Sequence, residues 1–293
     1  MDIKTYWKQR QQAFEKALNL AMPKATLQPA TLHKAMRYSL FAGGKRLRPI
    51  LVLAAAESVG GKPLNAMPLA CAVECIHTYS LIHDDLPCMD DDDLRRGMPT
   101  SHKVFGEGIA VLAGDALLTY AFQLAAQTKP VKRHNAAHYV NELAIGSGNQ
   151  GMIAGQVVDL EGEGRKVTPK QLRYIHENKT AALITSSIRL GAMSANASDK
   201  QLATLTKFGQ SLGLAFQVID DILDITQTSE QLGKSAGKDL EAQKATYPAI
   251  LGMAKAQAEA ARLTKLAKDT IKSMGPKAAP LQAIAEYLLS RQN

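Results

Sequence analysis

Two apolar stretches that each end in a cluster of aspartates constrain the fold of this chain most strongly. The first runs from Cys71 through a helix-forming sequence to Asp84 and Asp85. Pro87 lacks a backbone N–H and cannot continue a helix, so the helix is predicted to end near Asp85. The C-terminal end of a helix carries negative partial charge and favours cations. Carboxylates crowded at this end predict a bound positive ion, with a solvated acidic loop as the alternative.

The second acidic cluster also follows an apolar helix, and its Asp220 and Asp224 are four residues apart. This spacing places both carboxylates on one helix face. Two helix ends that break the same charge rule are best explained if they face each other across one metal cluster. Mg²⁺ prefers oxygen ligands and typically binds together with a substrate phosphate, so Mg²⁺ is the predicted ion.

The composition favours an all-α fold. Hydrophobic residues make up 46% of the chain and aromatic residues only 5%, which suits closely packed helices. No run of alternating β-branched residues is bounded by turn signals, so strands are predicted to be few or absent. No linker or repeat divides the chain. Residues 1–293 are therefore predicted to form a single all-helical domain, one large helical bundle around a central cavity.

Charge, cysteines and hydropathy exclude several classes of protein. The net charge is +8, but the basic residues form no stripe with interleaved aromatics, so nucleic acid is not a predicted partner. The three cysteines have no metal-ligand or redox spacing. The most membrane-like segment, Ile109 to Ala126, contains Asp115, which would be costly in lipid. We expect a cytoplasmic, soluble protein without stable membrane insertion.

A second group of motifs predicts anion binding. Lys45, Arg46 and Arg48 follow two glycines and precede Pro49, which is well placed as the first residue of a helix. Backbone N–H groups at a helix start and arginine side chains both bind phosphate, although an ordinary basic surface turn is common. A later glycine- and lysine-rich segment, Gly233 to Asp239, suits either a flap over phosphates or a flexible basic loop.

Helix boundaries and packing between these motifs are predicted as well. Ser101 to Gly108 is predicted to be a loop. A capping box opens a helix that is predicted to run from Pro169 to about Leu190. Lys179 lies in its middle, where a lysine needs either solvent or an anion. Gly151 and Gly155 are four residues apart and predict close approach of a neighbouring helix.

Together these motifs resemble those of trans-prenyl diphosphate synthases. Asp84-Asp85-Leu86-Pro87-Cys88-Met89-Asp90, followed by Arg95-Arg96-Gly97, is similar to the first aspartate-rich motif of that family, and Asp220-Asp221-Ile222-Leu223-Asp224 to the second. Gly44-Lys45-Arg46-Leu47-Arg48-Pro49 matches too, and the resemblance covers nearly the whole chain. It is strongest to bacterial farnesyl diphosphate synthases. It implies an isoprenoid synthase fold, a homodimer, and Mg²⁺-dependent condensation of isopentenyl diphosphate with dimethylallyl and then geranyl diphosphate.

The resemblance also implies roles for individual residues. Mg²⁺ ligation is implied for Asp84, Asp90 and Asp220, and ligation directly or through water for Asp85, Asp221 and Asp224. The residues that would hold the allylic diphosphate are Arg95, Lys179 and Lys234. Those that would hold isopentenyl diphosphate are Lys45, Arg48, His77 and Arg96. The reacting carbons would be lined by Thr180 and Gln217, and the released diphosphate would accept the proton.

Tyr79 is predicted to limit the product to fifteen carbons. It precedes Asp84 by five residues, which places it about 7–8 Å deeper along the helix. A ring there would block the floor of the cavity, as it does in the farnesyl synthases that the chain resembles. The insertion of Pro87 and Cys88 also occurs in plant-like geranylgeranyl synthases. A geranylgeranyl diphosphate synthase is therefore the alternative within the family.

Three other functions compete with this interpretation. A terpene cyclase would share the acidic metal site but has little use for an anion site at Lys45 and Arg48. The pair His83-Asp84 suits the metal ligands of an all-α phosphohydrolase, but that reading leaves Asp220 and Asp224 unexplained. An inactive regulatory subunit would not need intact acidic motifs.

Overall fold

The computed structural model describes residues 1–226 and 246–289, and most of these residues are helical. In chain order its α-helices are α1 (Ile3–Ala21), α2 (Ala30–Leu40), α3 (Leu47–Ser58), α4 (Pro63–Asp84), α5 (Ser101–Phe105), α6 (Glu107–Ala126), α7 (Ala136–Ser147), α8 (Met152–Gly162), α9 (Pro169–Ile175), α10 (Leu183–Ser194), α11 (Asp199–Thr226), α12 (Tyr247–Leu251), α13 (Met253–Lys272) and α14 (Ala279–Leu289). A π-helix (His176–Ala182) joins α9 to α10, and a short 3-10 helix (Pro276–Ala278) precedes α14. The prediction of an all-α fold is confirmed.

The centre of the bundle consists of helices that are apolar on almost every side. α10 packs along α3, and every residue of α10 except Arg189 is buried. A helix that is hydrophobic all round is stable only when other elements surround it. A Cβ atom added at Gly191 would lie 2.0 Å from the carbonyl oxygen of Val52. The glycine therefore allows α10 and α3 to approach closely.

The outer helices bury one stripe each. The buried residues of α13 recur every three or four positions: Ala256, Ala260, Leu263, Ala267 and Ile271. This spacing gives a single apolar face, which packs along α11. α11 also packs against α10 and the π-helix. The helix that carries the second acidic cluster is thus held by neighbours on several sides.

The helix after the basic turn begins two residues earlier than predicted. α3 starts at Leu47, so Pro49 is its third residue and not its first. Arg46 precedes the helix with a left-handed φ of 51°, and its carbonyl oxygen accepts the N–H of Ile50. The turn therefore ends at Arg46. Pro49 still lies in the first turn, where its missing N–H leaves no helical hydrogen bond unmade.

The prediction of a loop over Ser101 to Gly108 is wrong. The short helix α5 occupies most of it, because the carbonyl oxygen of Thr100 accepts the N–H groups of Lys103 and Val104 and starts a helical turn. Gly106, with a φ of 83°, ends α5 and leads directly into α6. Before α5, strands β1 (Leu94–Arg95) and β2 (Met98–Pro99) form a short antiparallel hairpin.

The helix predicted from Pro169 to Leu190 is interrupted in its middle. Residues 176–182 widen into the π-helix before α10 resumes. Two glycines on neighbouring helices lie against this segment. A Cβ atom at Gly155 of α8 would lie 2.1 Å from the backbone nitrogen of Lys179, and one at Gly213 of α11 would lie 2.6 Å from Cα of Ala181. The predicted close approach at Gly155 is confirmed, and π-helical segments often mark functional sites.

α6 is the one helix among the described residues that is long and apolar enough to cross a membrane. One face of it packs against α4, and 39% of its most apolar window is buried. On the other face Val111, Leu112 and Asp115 are exposed. A single helix of this kind is weak evidence for a membrane protein, because core helices of soluble proteins have the same length and composition.

Candidate active site

The first acidic cluster forms where α4 ends. Asp84 is the last residue of the helix and Asp85 follows as its C-cap, as Pro87 predicted. The chain then curls back, and the backbone N–H of Asp90 donates to the carbonyl oxygen of Asp84 at 2.8 Å. This turn brings the carboxylates of Asp84, Asp85 and Asp90 together. We call these three residues the acidic cluster.

The electrostatics of the acidic cluster suit a divalent cation. Burial raises the pKa of Asp84 to about 6, and the charges of Asp90 and Asp85 add to the increase, while Lys179 and Arg95 oppose it. The carboxylate is therefore costly to ionise despite two cations nearby. Carboxylate oxygens are the ligands that Mg²⁺ prefers. The donor set and the crowding of its negative charges fit that ion.

Arg95 neutralises one member of the cluster. Its Nε and Nη2 donate to Oδ1 of Asp85 at 2.7 and 2.5 Å, and Nη2 lies 3.6 Å from Asp92. Burial raises the pKa of Asp85, and the hydrogen bond from Arg95 opposes this. Since Arg95 is on β1, the hairpin is attached to the end of α4.

Asp220 and Asp221, adjacent members of the second acidic cluster, have different neighbours. Asp220 lines a cavity of about 320 Å³ together with four of the predicted anion-binding residues: Lys45, Arg48, His77 and Arg96. We call this space the cationic cavity. It joins the basic turn before α3, the middle of α4, the hairpin and α11. The structure thus brings these four predicted side chains to one cavity, and their role as a binding site stays a prediction.

In the cationic cavity, positive side chains are crowded together, whereas negative ones are crowded in the acidic cluster. Burial lowers the pKa of Arg48 to about 10, and Arg96 contributes to the decrease. Burial, Arg48 and Arg96 hold the pKa of His77 well below its usual range. In the described part of the chain Nε of Arg48 is buried without a hydrogen-bond partner. Such a site favours an anion with several acceptor oxygens.

The hairpin arginine Arg96 depends on the preceding glycines. Its guanidinium donates to the carbonyl oxygen of Gly43. A Cβ atom at Gly44 would lie 2.6 Å from Cζ of Arg96, and the φ of Gly44 is 114°. Gly44 therefore leaves the space in which the Arg96 side chain lies. Because Arg95 binds the acidic cluster and Arg96 lines the cationic cavity, this hairpin joins the two sites.

Arg46 plays a different part from its neighbours in the basic turn. It is buried, and its guanidinium donates to Glu74 at 2.7 Å, to Glu15 at 2.6 Å and to the carbonyl oxygen of Leu40 at 2.7 Å. Sequence reasoning missed both glutamates. A signal for Glu74 existed, because a glutamate within the apolar sequence of α4 requires a partner.

The π-helix presents the next pair of predicted residues. Nζ of Lys179 lies 2.6 Å from Oδ2 of Asp159 on α8. Asp159 was not predicted, although it lies one turn beyond Gly155 on the same helix face. Oγ1 of Thr180 donates to Oε1 of Gln217 on α11 at 2.9 Å. Lys179 thus connects the π-helix to α8, and Thr180 connects it to α11. The charge of Lys179 also acts on Asp84 of the acidic cluster.

Asp221 makes contacts outside the cationic cavity. Nε2 of Gln217 donates to its Oδ1 at 3.2 Å, and the backbone N–H of Tyr247 donates to its Oδ2 at 2.9 Å. Asp224 is buried one turn further along α11. Lys234, predicted to bind the allylic diphosphate, lies outside the described residues.

Tyr79 lies below the acidic cluster on α4. Its ring is buried and packs edge-on against His83, with 5.7 Å between ring centroids. Burial raises the pKa of Tyr79 to about 12, and the charge of Asp84 contributes. His83 itself contacts the carbonyl oxygen of Val111 on α6 at 3.0 Å.

A further group of possible metal ligands lies in the described loop beyond Asp90. Asp91, Asp93 and His102 place one ligand atom each within 4.8 Å of one another. Asp93 already pairs with Lys103 at 2.7 Å, and Nδ1 of His102 lies 3.2 Å from Oγ1 of Thr100. These contacts account for the arrangement without an ion.

Comparison with known proteins agrees with this geometry. The polyprenyl synthetase family model matches residues 29–284. A chloroplastic geranylgeranyl pyrophosphate synthase from Catharanthus roseus is 52% identical over 295 residues, covering 100% of this chain and 82% of that protein.

Solved structures give the same result. An FPP/GFPP synthase from Zymomonas mobilis matches with a TM-score of 0.87 and 35% identity, covering 98% of this chain and 99% of that one. A geranyltransferase from Helicobacter pylori, complexed with magnesium and isoprenyl diphosphate, matches with a TM-score of 0.85 and 34% identity, covering 99% and 97%. With its two acidic motifs at the ends of α4 and α11, the chain belongs to the polyprenyl synthetase family and is a trans-prenyltransferase.

Proposed function

We propose that this protein elongates prenyl diphosphates head to tail, condensing isopentenyl diphosphate with dimethylallyl and then geranyl diphosphate to give farnesyl diphosphate. The observation that carries the proposal is the pairing of two sites of opposite charge, the acidic cluster and the cationic cavity, through Arg95 and Arg96. Condensation of two diphosphates needs two anion sites. A terpene cyclase or a phosphohydrolase needs only one.

In this proposal isopentenyl diphosphate binds in the cationic cavity. Lys45, Arg48 and Arg96 supply positive charge there, and His77 supplies a neutral ring because its pKa is low. A diphosphate would give Nε of Arg48 the acceptor that it lacks among the described residues. Arginine binds phosphate oxygens in a bidentate manner, which also orients the substrate.

The allylic diphosphate binds at the acidic cluster. Asp84, Asp90 and Asp220 would hold the Mg²⁺ ions, with Asp85, Asp221 and Asp224 acting directly or through water. When bound, Mg²⁺ supplies positive charge that makes the diphosphate a better leaving group. The related geranyltransferase from Helicobacter pylori was crystallised with magnesium and isoprenyl diphosphate, which supports this assignment.

Cationic side chains complete the allylic site. Arg95 and Lys179 bind the diphosphate, and Lys179 leaves Asp159 to do so. Lys234 is proposed for the same role from the family resemblance.

The bond between the allylic carbon and the diphosphate oxygen breaks, and the oxygen keeps the electron pair. The double bond of isopentenyl diphosphate then attacks the allylic cation. The dipoles of Thr180 and Gln217 stabilise that cation, and the released diphosphate accepts the proton.

Tyr79 sets the length of the product in this proposal. Its buried ring lies below Asp84, which supports a cavity closed near fifteen carbons. A geranylgeranyl product is the second candidate, because a relative 52% identical to this chain is named a geranylgeranyl pyrophosphate synthase.

We also propose that the protein is a cytoplasmic homodimer. Val111 and Leu112, adjacent apolar residues on α6, are 37% and 55% exposed. A second copy packed on this face would cover them, and the exposed Asp115 in the middle of α6 disfavours lipid. Sedimentation analysis tests this: Leu112→Glu is expected to give monomers, and a wild-type monomer contradicts it.

Incubation of the purified protein with Mg²⁺, dimethylallyl diphosphate and isopentenyl diphosphate tests the function, with product mass as the readout. Farnesyl diphosphate is expected. A twenty-carbon product would replace the proposed length, and product formed from geranyl diphosphate without isopentenyl diphosphate would indicate a cyclase. Phosphate release from nucleotides would indicate a phosphohydrolase. Absence of all turnover would support a regulatory subunit.

A further inference from the structure

The side chains of Thr180, Gln217 and Asp221 form a hydrogen-bonded chain between the π-helix and α11, and His176 lies beside its end; we call these four residues the circuit. Thr180 donates to Oε1 of Gln217 at 2.9 Å, and Nε2 of Gln217 donates to Oδ1 of Asp221 at 3.2 Å. Oδ2 of Asp221 then lies 3.6 Å from Nε2 of His176. His176 begins the π-helix that also carries Thr180, so the backbone closes the circuit.

Asp221 determines which way the amide of Gln217 points. An ionised carboxylate only accepts hydrogen bonds, so the NH₂ group of the amide must face it. The amide oxygen is then left to face the hydroxyl of Thr180. If the carboxylate of Asp221 could rotate away, the amide could flip and present NH₂ to Thr180 instead.

Two groups lie against the carboxylate of Asp221 on the other side. The backbone N–H of Tyr247 donates to Oδ2 at 2.9 Å, and the His176 ring lies beside the same oxygen. His176 is 5% exposed, and its ring packs on that of Tyr247 with 5.3 Å between centroids. The ring therefore has little freedom to move. A carboxylate oxygen beside Nε2 favours the tautomer that carries its hydrogen on Nε2.

We propose that His176 is a positioning residue for prenyl transfer, which acts through Asp221 to fix the orientation of the Gln217 amide against Thr180. This inference rests on the proposed function, because it assigns Thr180 and Gln217 a role beside the reacting carbons. His176 itself touches neither substrate nor metal. Its effect is on the rate of the chemical step and not on binding of isopentenyl diphosphate.

Steady-state kinetics of His176→Phe test the proposal, because phenylalanine keeps a ring against Tyr247 but removes Nε2. A fall in kcat of about tenfold is expected, the size of effect that slight misplacement of reacting groups produces. The KM for isopentenyl diphosphate should change less than about twofold, since its proposed site lies in the cationic cavity. His176→Gln, whose amide N–H can replace Nε2, is expected to restore most of kcat.

His134→Phe is the matched control. His134 is also buried, at 6% exposure, and its Nε2 contacts the carbonyl oxygen of Ala197 at 2.9 Å, away from the circuit. Both phenylalanine variants lose one buried imidazole contact, so both are expected to lower the unfolding temperature, but only His176→Phe should lower kcat. Equal kcat values in the two variants would overturn the inference.

A double-mutant cycle separates positioning from a general effect on the fold. In a Gln217→Leu background there is no amide to orient, so His176→Phe should cause no further loss of kcat. A second tenfold loss there would also overturn the inference. If His176→Phe does not fold, His176→Asn, which is too short to reach Asp221, takes its place in both experiments. Failure of the wild type to form any prenyl product would instead refute the proposed function.

Discussion

The acidic cluster and the cationic cavity are two adjacent regions with opposite electrostatic imbalance. In the first, burial and like charges raise the pKa of Asp84 to about 6. In the second, burial and the charge of Arg96 lower the pKa of Arg48 to about 10, against the opposing charge of Glu74. Each region holds its charges in an unfavourable arrangement that a ligand of opposite sign relieves. Both sites therefore favour ligand binding at the expense of the stability of the free protein.

Neutralising the acidic cluster is expected to have the largest effect. Asp84→Asn removes a proposed Mg²⁺ ligand that contributes several kcal/mol to the transition state, so kcat should fall by about a thousandfold. The free energy of unfolding of the Mg²⁺-free protein should not fall, because a repulsive charge is lost. Turnover and urea unfolding measure the two effects. Asp199→Asn, at the exposed start of α11, is the control: it should not change kcat, and it should lower the free energy of unfolding by no more than about 1 kcal/mol, since it removes a favourable charge from the helix start.

Substitutions of two arginines of the basic turn, Arg48 and Arg46, are expected to have different effects. Arg48→Leu should raise the KM for isopentenyl diphosphate by about a hundredfold, since a bidentate charged contact contributes about 1.5–3 kcal/mol. Arg46→Leu should instead lower the free energy of unfolding by about 3–5 kcal/mol, because it leaves the buried Glu74 without its charge partner.

Kinetics and urea unfolding of both variants check this contrast. Arg48→Leu should leave the free energy of unfolding unchanged or higher. Should Arg46→Leu raise the KM while remaining as stable as the wild type, the division of roles within the basic turn would be wrong.

The pH dependence of the free energy of unfolding tests the raised pKa of Asp84 without any substrate. The pKa of Asp84 is higher in the folded protein, about 6, than its unfolded value of 3.8. Between these values the folded state binds more protons, so the contribution of Asp84 to the free energy of unfolding decreases as the pH rises from about 4 to about 6. Asp84→Asn removes this contribution. Urea unfolding without Mg²⁺ at pH 4.5 and 6.5 should therefore give a smaller decrease for the variant, and identical decreases would contradict the assignment.

The smallest effect on kcat is expected for substitutions of Tyr79, which lies below the acidic cluster. Tyr79→Ala removes the ring proposed to close the cavity, so the product should lengthen while kcat changes only a few-fold. Tyr79→Phe keeps the ring and should leave product length unchanged. Product mass distinguishes the variants. An unchanged product from Tyr79→Ala would exclude Tyr79 as the floor of the cavity.

Features governed by local chemistry were predictable from the sequence. α4 ends at Asp84 because Pro87 excludes a continuing helix, and α9 begins with the predicted capping box, in which the side chain of Thr168 accepts from the N–H of Gln171. The all-α fold follows from composition and hydrophobic periodicity. In each case the interacting residues are near each other in sequence, so their types and spacing suffice.

Features governed by distant partners were not predictable. Arg46 and Arg48 are indistinguishable in the basic turn, but Arg46 turns inward to glutamates on α1 and α4. The pairing of Lys179 with Asp159 joins residues twenty positions apart. His176 carries no local signal of its contact with Asp221. Each depends on which helix faces become neighbours.

Residue types and their spacing suffice to predict a helical protein with two acidic helix ends and a basic turn, because proline, glycine and hydrophobic spacing act over a few residues. Which neighbour each charged side chain meets depends on how the helices pack. Asp220 lines the cationic cavity whereas the adjacent Asp221 binds Gln217 and Tyr247. The physical reason is that neighbouring residues on a helix point in different directions, and the packing of other helices determines what each side chain meets.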